Sequence, residues 1–178
     1  NKSFAKQINL AKRKTNQQQE GSELKPYNVP FPLGENQENI TVNTNTPSKS
    51  SKEKIINQAF KFHSQGNILE AAKFYQYFID QGFKDHRVFS NYGAILKDHG
   101  KLKEAELSLL EAIALNPDYA IAHNILGLVL RNLDKLKEAE IATRVAIKLK
   151  PDFANAHSNL GIILRDLGKL KEAEITTR

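Results

Sequence analysis

The feature that most constrains this sequence is a segment that recurs every 34 residues. Lys-Leu-Lys-Glu-Ala-Glu occupies residues 101–106, 135–140 and 169–174, and Pro117 and Pro151 have the same spacing. A fixed period between about 20 and 50 residues is typical of solenoids, in which each unit buries its apolar face only against its neighbours. The repeat therefore predicts a stack of equivalent units.

We number each unit from 1 to 34, with proline at position 32. The units are residues 52–85, 86–119 and 120–153, followed by an incomplete unit at 154–178. Each contains two stretches whose apolar residues follow the 3.6-residue period of a helix, on either side of a turn at position 15. The small residues at position 8 are Ala59, Gly93, Gly127 and Gly161, and the alanines at position 20 are Ala71, Ala105, Ala139 and Ala173. Small residues let the paired helices approach closely, so the sequence predicts an all-α fold of helix–turn–helix units.

Turn residues mark the boundaries within and between units. Position 15 carries Gly66, Gly100 and Gly168, with Asp134 in the third unit. Proline at position 32 cannot continue a helix. We expect the aspartates that follow the two prolines to cap the next helix. They are Asp118 and Asp152.

This pattern resembles the tetratricopeptide repeat. The matching features are the small residue at position 8, alanine at 20, Phe78, Ala112 and Ala146 at 27, and proline at 32. The resemblance covers residues 52–178 and implies a right-handed helical solenoid. Asn-Pro-Asp-Tyr-Ala and Asn-Leu-Gly are similar to bacterial repeats, including those fused to SPINDLY-like or O-GlcNAc-transferase-like glycosyltransferases. The first unit departs from the pattern, with Phe83 at position 32, so we expect it to act as an N-terminal cap.

The composition changes near residue 50. Residues 1–51 hold 13 Asn and Gln residues and four of the six prolines, and their apolar residues are sparse and irregular. Conformational entropy then outweighs burial. We therefore predict a disordered, polar and basic tail at residues 1–50. Within it, residues 27–33 alternate apolar side chains with prolines, which is typical of extended or polyproline-like backbone and fits either a linker or a short docking motif.

The first helices carry the candidate binding residues. The resemblance implies that the inner face, at positions 2, 5, 6, 9, 12 and 13, holds a peptide. Position 6 is asparagine except for Ile125, and an asparagine amide can pair with both the N–H and the C=O of a peptide backbone. Position 12 is basic after His63 and would favour acidic peptide groups. The predicted peptide-binding residues are Asn57, Asn91, Asn159, Lys97, Arg131 and Arg165. The alternative is a merely solvated row with incidental asparagines.

Catalytic, cofactor and metal sites are not predicted. The chain has no cysteine, no Gly-rich phosphate loop and no nucleophile elbow. His123 and His157 share packing position 4, so their spacing reflects the repeat. The carboxylate clamp of chaperone-binding members is matched only by Asn91, and we do not predict that activity. We expect this chain alone not to be an enzyme and to need no cofactor.

Charge and hydropathy narrow the choice of partners. The net charge of +6 divides into +3 for residues 1–51 and +3 for residues 52–178, where acids and bases alternate. The one dense basic run, residues 12–14, lies in the tail, which disfavours nucleic-acid binding on a formed surface. No apolar stretch approaches the ~20 residues that span a bilayer, and no signal-peptide core is visible. We expect a cytoplasmic protein without membrane insertion.

The sequence favours a protein–protein interaction module that holds a partner's peptide segment, with acidic groups, in a concave groove. Arg178 falls in the middle of a second helix, so we expect the chain to be the front part of something longer. The alternative function is therefore the substrate-docking part of a longer enzyme, a glycosyltransferase or another transferase.

Overall fold

The computed structural model describes residues 49–169 and residue 173. Residues 49–169 form seven α-helices, and no strand occurs among the described residues. The helices are α1 Lys49–Ser64, α2 Ile68–Asp80, α3 His86–Asp98, α4 Leu102–Leu115, α5 Ala120–Asn132, α6 Leu136–Leu149 and α7 Ala154–Asp166. They alternate as first and second helices of the 34-residue units, which confirms the all-α fold. Of the tail predicted at residues 1–50, residues 1–48 lie outside the described residues, whereas residues 49 and 50 belong to α1, so the helix begins two residues earlier than predicted. Most of the last second helix also lies outside the described residues.

Packing follows the order of the chain. Each first helix packs against its own second helix, and each second helix packs against the next first helix. The first helices of consecutive units also contact each other, α3 with α5 and α5 with α7. Each unit thus buries its apolar face only against its neighbours, as a solenoid requires.

The interior repeats from unit to unit. Ala71, Ala105 and Ala139 at position 20 are completely buried. Position 24 is also completely buried in each of the first three units, where it carries Tyr75, Leu109 and Thr143. Full burial of a large apolar side chain stabilises a fold by about 1.5–3 kcal/mol. The core is therefore a continuous seam between paired helices.

Glycine at position 8 brings the paired helices together. A methyl group on Gly127 would collide with Oγ1 of Thr143 and lie 3.3 Å from the carbonyl oxygen of Ala139. At Gly93 the methyl would lie 2.8 Å from Cγ of Leu109. These contacts confirm that position 8 is a close crossing point of the two helices.

The turn at position 15 needs a left-handed backbone. The φ angles are +75° at Gly66, +73° at Gly100 and +75° at Gly168. Asp134 takes the same conformation at +59°, and aspartate is among the few non-glycine residues that visit this region. At each of these turns the helix ends with the hydrogen bonds of a Schellman motif. The turns predicted at position 15 are therefore confirmed.

The prediction that aspartates cap the later first helices is wrong. Tyr119 and Phe153 are the N-caps of α5 and α7, without a side-chain capping bond. The turn that starts at proline continues for one residue beyond Asp118 or Asp152, which leaves each aspartate outside the N-cap position. Among the six helices whose N-cap lies within the described residues, α3 is the one with such a cap, where Asp85 accepts a 2.9 Å hydrogen bond from the backbone N–H of Arg87.

A repeated ion pair joins neighbouring units. Lys135 lies 2.8 Å from Glu106, and Lys169 lies 2.9 Å from Glu140. The lysines occupy position 16 and the glutamates position 21 of the preceding unit. The first junction carries Ala72 at position 21, so no equivalent pair forms there. These ion pairs thus distinguish the two later junctions from the first.

Candidate functional site

The candidate site lies on the first helices, on a surface that we call the first-helix face. It consists of positions 2, 5, 6, 9, 12 and 13 of α1, α3, α5 and α7. Two side-chain contacts link α5 and α7 across this face. Each joins adjacent unit positions, 5 with 6 and 12 with 13. Asn159 donates a 2.9 Å hydrogen bond to Oδ1 of Asn124. Nε of Arg131 lies 2.5 Å from Oδ2 of Asp166.

The three predicted asparagines all lie on this face but have different surroundings. Asn57 is exposed on α1. Asn91 is half-buried and donates a 3.1 Å hydrogen bond to the hydroxyl of Tyr75. Asn159 is half-buried and is held by Asn124. The three predicted asparagines thus comprise one exposed amide and two amides with an intramolecular partner.

Tyr75 organises the polar contacts of the first two units. The side chain of Tyr75 comes from α2 and is completely buried. Its hydroxyl contacts Asn91 of α3 and His63 of α1. The hydroxyl lies 2.8 Å from Nδ1 of His63. A phenol can accept from the amide and donate its own hydrogen to the imidazole. Burial raises the pKa of Tyr75, partly offset by the bond from Asn91, so the side chain stays neutral.

The basic row at position 12 is largely paired within the protein. Lys97 lies 2.6 Å from Asp98, and Arg131 is paired with Asp166. Arg165 is exposed, and among the described residues no carboxylate is paired with it. The carboxylates at position 13 were missed by the sequence reasoning. Their signal was present, because position 13 directly follows the basic position and is acidic in two units.

The apolar part of the face was also missed. Three apolar side chains follow one stripe of α5, at positions 2, 6 and 9, and a fourth occupies position 9 of α7. They are Ile121, Ile125, Leu128 and Ile162. Ile121 is 43% exposed, and the other three are half-buried. We call these four residues the apolar patch. The sequence signal was the isoleucine that interrupts the asparagines at position 6.

The corresponding surface of the first two units is more polar. Arg87 replaces the isoleucine of position 2, and its guanidinium lies 5.1 Å from the ring centre of Phe60. The same guanidinium pairs with Asp85 at 2.9 Å. Burial favours a higher pKa for Asp85, but the hydrogen bonds and charge of Arg87 outweigh it and lower the pKa below its usual value. This half of the face is therefore occupied by internal polar contacts.

The two histidines at position 4, His123 and His157, make the same contact in successive units, in agreement with the prediction that their spacing reflects the repeat. Nε2 of His123 lies 2.8 Å from the carbonyl oxygen of Pro117, and His157 makes the same contact with Pro151. Burial lowers the pKa of His123, although its bond to Pro117 opposes the shift. Among the described residues, no group of three or more His, Asp or Glu side chains is arranged to hold a metal ion. No described helix is long and apolar enough to cross a membrane.

Comparison with known proteins supports this architecture. A family profile described as tetratricopeptide repeat matches residues 95–152. No curated protein sequence matches the chain. Among solved structures, MamA from Desulfovibrio magneticus RS-1 is 21% identical with a TM-score of 0.65, and the alignment covers 72% of each chain.

Two further structures show the same fold. The first TPR of Spaghetti (RPAP3), bound to an HSP90 peptide, is 24% identical with a TM-score of 0.62, covering 68% of this chain and 96% of that one. The O-GlcNAc transferase of Thermobaculum terrenum is 22% identical with a TM-score of 0.61, covering 68% of this chain but 23% of that one. The family match and the structural likeness identify the described helices as a tetratricopeptide-repeat solenoid.

Proposed function

We propose that this chain is a protein-interaction module whose first-helix face is a groove that binds a peptide segment of a partner protein. The observation that carries the proposal is that this face changes from unit to unit while the interior repeats. Position 20 is alanine throughout, whereas position 2 carries Glu53, Arg87, Ile121 and Asn155. A variable surface on a constant frame suits recognition. The peptide-bound RPAP3 structure, which has the same fold, supports this role.

The asparagines would contact the peptide backbone. An asparagine amide has two N–H donors and one acceptor oxygen. Asn91 and Asn159 each use one donor to bond a neighbouring helix, which holds the side chain in place. Their remaining amide groups can then pair with a peptide at little further cost in side-chain entropy. Asn57, which is exposed, offers its amide to the same ligand.

The basic row would attract acidic groups of the peptide. Lys97 and Arg131 already contact Asp98 and Asp166, so an acidic ligand must compete with those carboxylates. Arg165 has no such competitor among the described residues and should contribute most of the attraction. We therefore expect acidic peptides to be preferred and their binding to weaken as salt is added.

The test is a peptide-display selection with the 178-residue chain, followed by titration of the selected peptides against single variants. Replacing Asn57 or Asn159 by alanine should weaken binding by about 0.5–1.5 kcal/mol for each hydrogen bond lost. The matched control is Asn67→Ala, because Asn67 is exposed at a turn between paired helices and makes no side-chain capping bond. Lys97→Ala is compared in the same way with Lys103→Ala, on the exposed surface of a second helix.

Selected peptides should respond to the first-helix variants and ignore both controls. Peptides that bind equally well to every first-helix variant would show that another surface is the site. A selection that returns no peptide at all would also contradict the proposal.

A second candidate function is the substrate-docking part of a longer transferase. The fold likeness to the repeats of the Thermobaculum terrenum O-GlcNAc transferase favours it. In that case the described helices would still bind rather than catalyse. The test is mass spectrometry of the endogenous protein, captured through an antibody against the repeats. Transferase peptides continuous with this chain would support the candidate, and an intact mass of 20.1 kDa would contradict it.

A further inference from the structure

Two links between neighbouring first helices lie on either side of Leu128 and Ile162, the two members of the apolar patch at position 9. On one side, Asn159 bonds Asn124 at positions 6 and 5. On the other side, Arg131 pairs with Asp166 at positions 12 and 13. Position 9 lies between these two links on both helices, so Leu128 and Ile162 occupy neighbouring places. The polar links therefore fix the two helices on either side of an apolar centre.

The patch is not the ordinary surface of a repeat. In the second unit the positions of Ile121, Ile125 and Leu128 carry Arg87, Asn91 and Ala94. Ile121 remains 43% exposed, and its neighbours on the stripe are only half-buried. A ligand that covers such side chains gains about 25 cal/mol of binding free energy for each Å² of apolar surface removed from water. This surface thus offers binding energy that the first two units lack.

Charge indicates what covers the patch. Arg165 lies three residues after Ile162 on α7, which is about 4.5 Å along the helix axis at 1.5 Å per residue. Its guanidinium is exposed, and no described carboxylate is paired with it. In a symmetric contact between two copies, both patches and their neighbouring arginines would face each other across a shared axis. A ligand with its own carboxylate complements this border better than a second copy does.

We propose that the apolar patch is the anchor of the binding face, and that its occupant is an extended segment of a partner protein with an apolar side chain close to an acidic one. The apolar side chain packs on the apolar patch, while an Asp or Glu side chain pairs with Arg165. An extended chain advances about 3.3 Å per residue, so the acidic residue stands one or two positions from the apolar one. This inference rests on the proposed function and names the partner's chemistry.

The probe is a set of fluorescent Gly/Ser peptides with blocked ends, each holding one leucine and one glutamate at a defined spacing. Binding to the full chain is measured by fluorescence anisotropy at two ionic strengths. Peptides with a spacing of one or two should bind best. Exchange of glutamate for glutamine should weaken them about three- to fivefold, as for an exposed ion pair. Exchange of leucine for alanine should weaken them about tenfold.

Matched protein variants separate the patch from general hydrophobicity and charge. Ile121→Asn is compared with Ile141→Asn, because Ile121 is 43% exposed on the face and Ile141 is 45% exposed on a second helix. Arg165→Gln is compared with Lys137→Gln, an equal charge change at an exposed site on α6. All four side chains are exposed, and unchanged thermal unfolding midpoints verify that the variants fold.

The result expected is weaker binding by Ile121→Asn and Arg165→Gln with no change in either control. Indifference to both patch variants, or absence of binding by every leucine–glutamate peptide, overturns the inference. The proposed function would survive that outcome if display-selected peptides still respond to Asn57→Ala. A sedimenting dimer that Ile121→Asn converts to monomer would instead show that a second copy covers the patch, which also overturns the inference.

Discussion

The first two units and the last two units share one scaffold but present different first-helix faces. In the first two, Tyr75 joins His63 and Asn91 in an internal hydrogen-bond network. In the last two, polar links join the first helices on either side of Leu128 and Ile162 of the apolar patch, and Arg165 is exposed. The scaffold is maintained by small residues at helix crossings, whereas the exposed side chains of the face differ from unit to unit. If the first-helix face binds a partner, as we propose, this comparison predicts that the third and fourth units carry most of the recognition.

The largest expected effect concerns the shared scaffold. Gly127→Ala should destabilise the protein by about 1–3 kcal/mol through overpacking. The added methyl collides with Thr143 Oγ1, which is held by a 2.9 Å bond to the carbonyl oxygen of Ala139. Adding Thr143→Ala should recover part of this loss, because the colliding atom is removed. Chemical unfolding of the four members of the cycle measures the coupling.

Gly66→Ala provides the control for that cycle. Nothing lies within 4 Å of a methyl at Gly66, but its φ of +75° makes any side chain strained. The expected loss is about 1–2 kcal/mol, the cost of a left-handed residue. Thr143→Ala should not relieve it. A rescue of Gly66→Ala, or none of Gly127→Ala, would show that the assigned crossing point is wrong.

The second prediction concerns the internal network of the first two units. Tyr75→Phe removes a buried hydroxyl that contacts His63 and Asn91, so stability should fall by about 1–2 kcal/mol for two hydrogen bonds. Tyr92→Phe is the matched control, because its hydroxyl has a partly buried partner in Gln76. Urea unfolding compares the two variants, and the control should lose less.

The peptide affinity of Tyr75→Phe tests whether the network also takes part in binding. If the network is structural, peptides that depend on Ile121 should bind Tyr75→Phe as well as they bind the original chain. A large loss of affinity without loss of stability would mean that the Tyr75 network contributes to recognition as much as the apolar patch does. The division between the two halves of the face would then not hold.

The smallest effect concerns the ion pairs of the later junctions. Glu140→Gln should cost about 0.5–1 kcal/mol at neutral pH, as expected for a partly exposed pair. Burial alone would raise the pKa of Glu140, but hydrogen bonds from Lys169 and Arg144 and their charges outweigh it and lower the pKa. The stabilisation is therefore present above the ordinary carboxyl pKa and is lost as pH falls through the lower, folded-state value.

Unfolding free energies measured from pH 7 to pH 3 test this sign. The original chain and Glu140→Gln should differ at neutral pH and converge on acidification. Glu138→Gln, at an exposed site on the same helix, serves as the control and should show a smaller difference. A gap that widens toward low pH would contradict the assigned ion pair.

The reciprocal change, Ala72→Glu, should add a similar stabilisation at the first junction.

The sequence predicted what the repeat itself determines. Spacing identified the helices, the crossing glycines and the left-handed turns, because each depends on local geometry that returns every 34 residues. The sequence did not predict the N-cap residues, because a shift of one residue decides which side chain lies at the cap. Asp118 follows proline as a cap would, yet the turn extends one residue further and Tyr119 becomes the N-cap.

The candidate site was predicted less completely than the fold. All six predicted side chains occupy the first-helix face, but their partners come from other helices or units and have no fixed sequence separation. The bond of Asn91 to Tyr75 is an example, as is the pairing of Arg131 with Asp166. Ile125 was noted as an interruption of the asparagines, although its neighbours on the stripe show it to be part of an apolar surface.

Isoleucine methyl spectra recorded during a peptide titration show directly whether a ligand binds at the apolar patch. We expect the methyl signals of Ile121, Ile125 and Ile162 to shift together with one saturation curve. Ile141, equally exposed on a second helix, should stay unchanged. Shifts confined to Ile141, or to Ile56 on the first-helix face of the first unit, would contradict the claim.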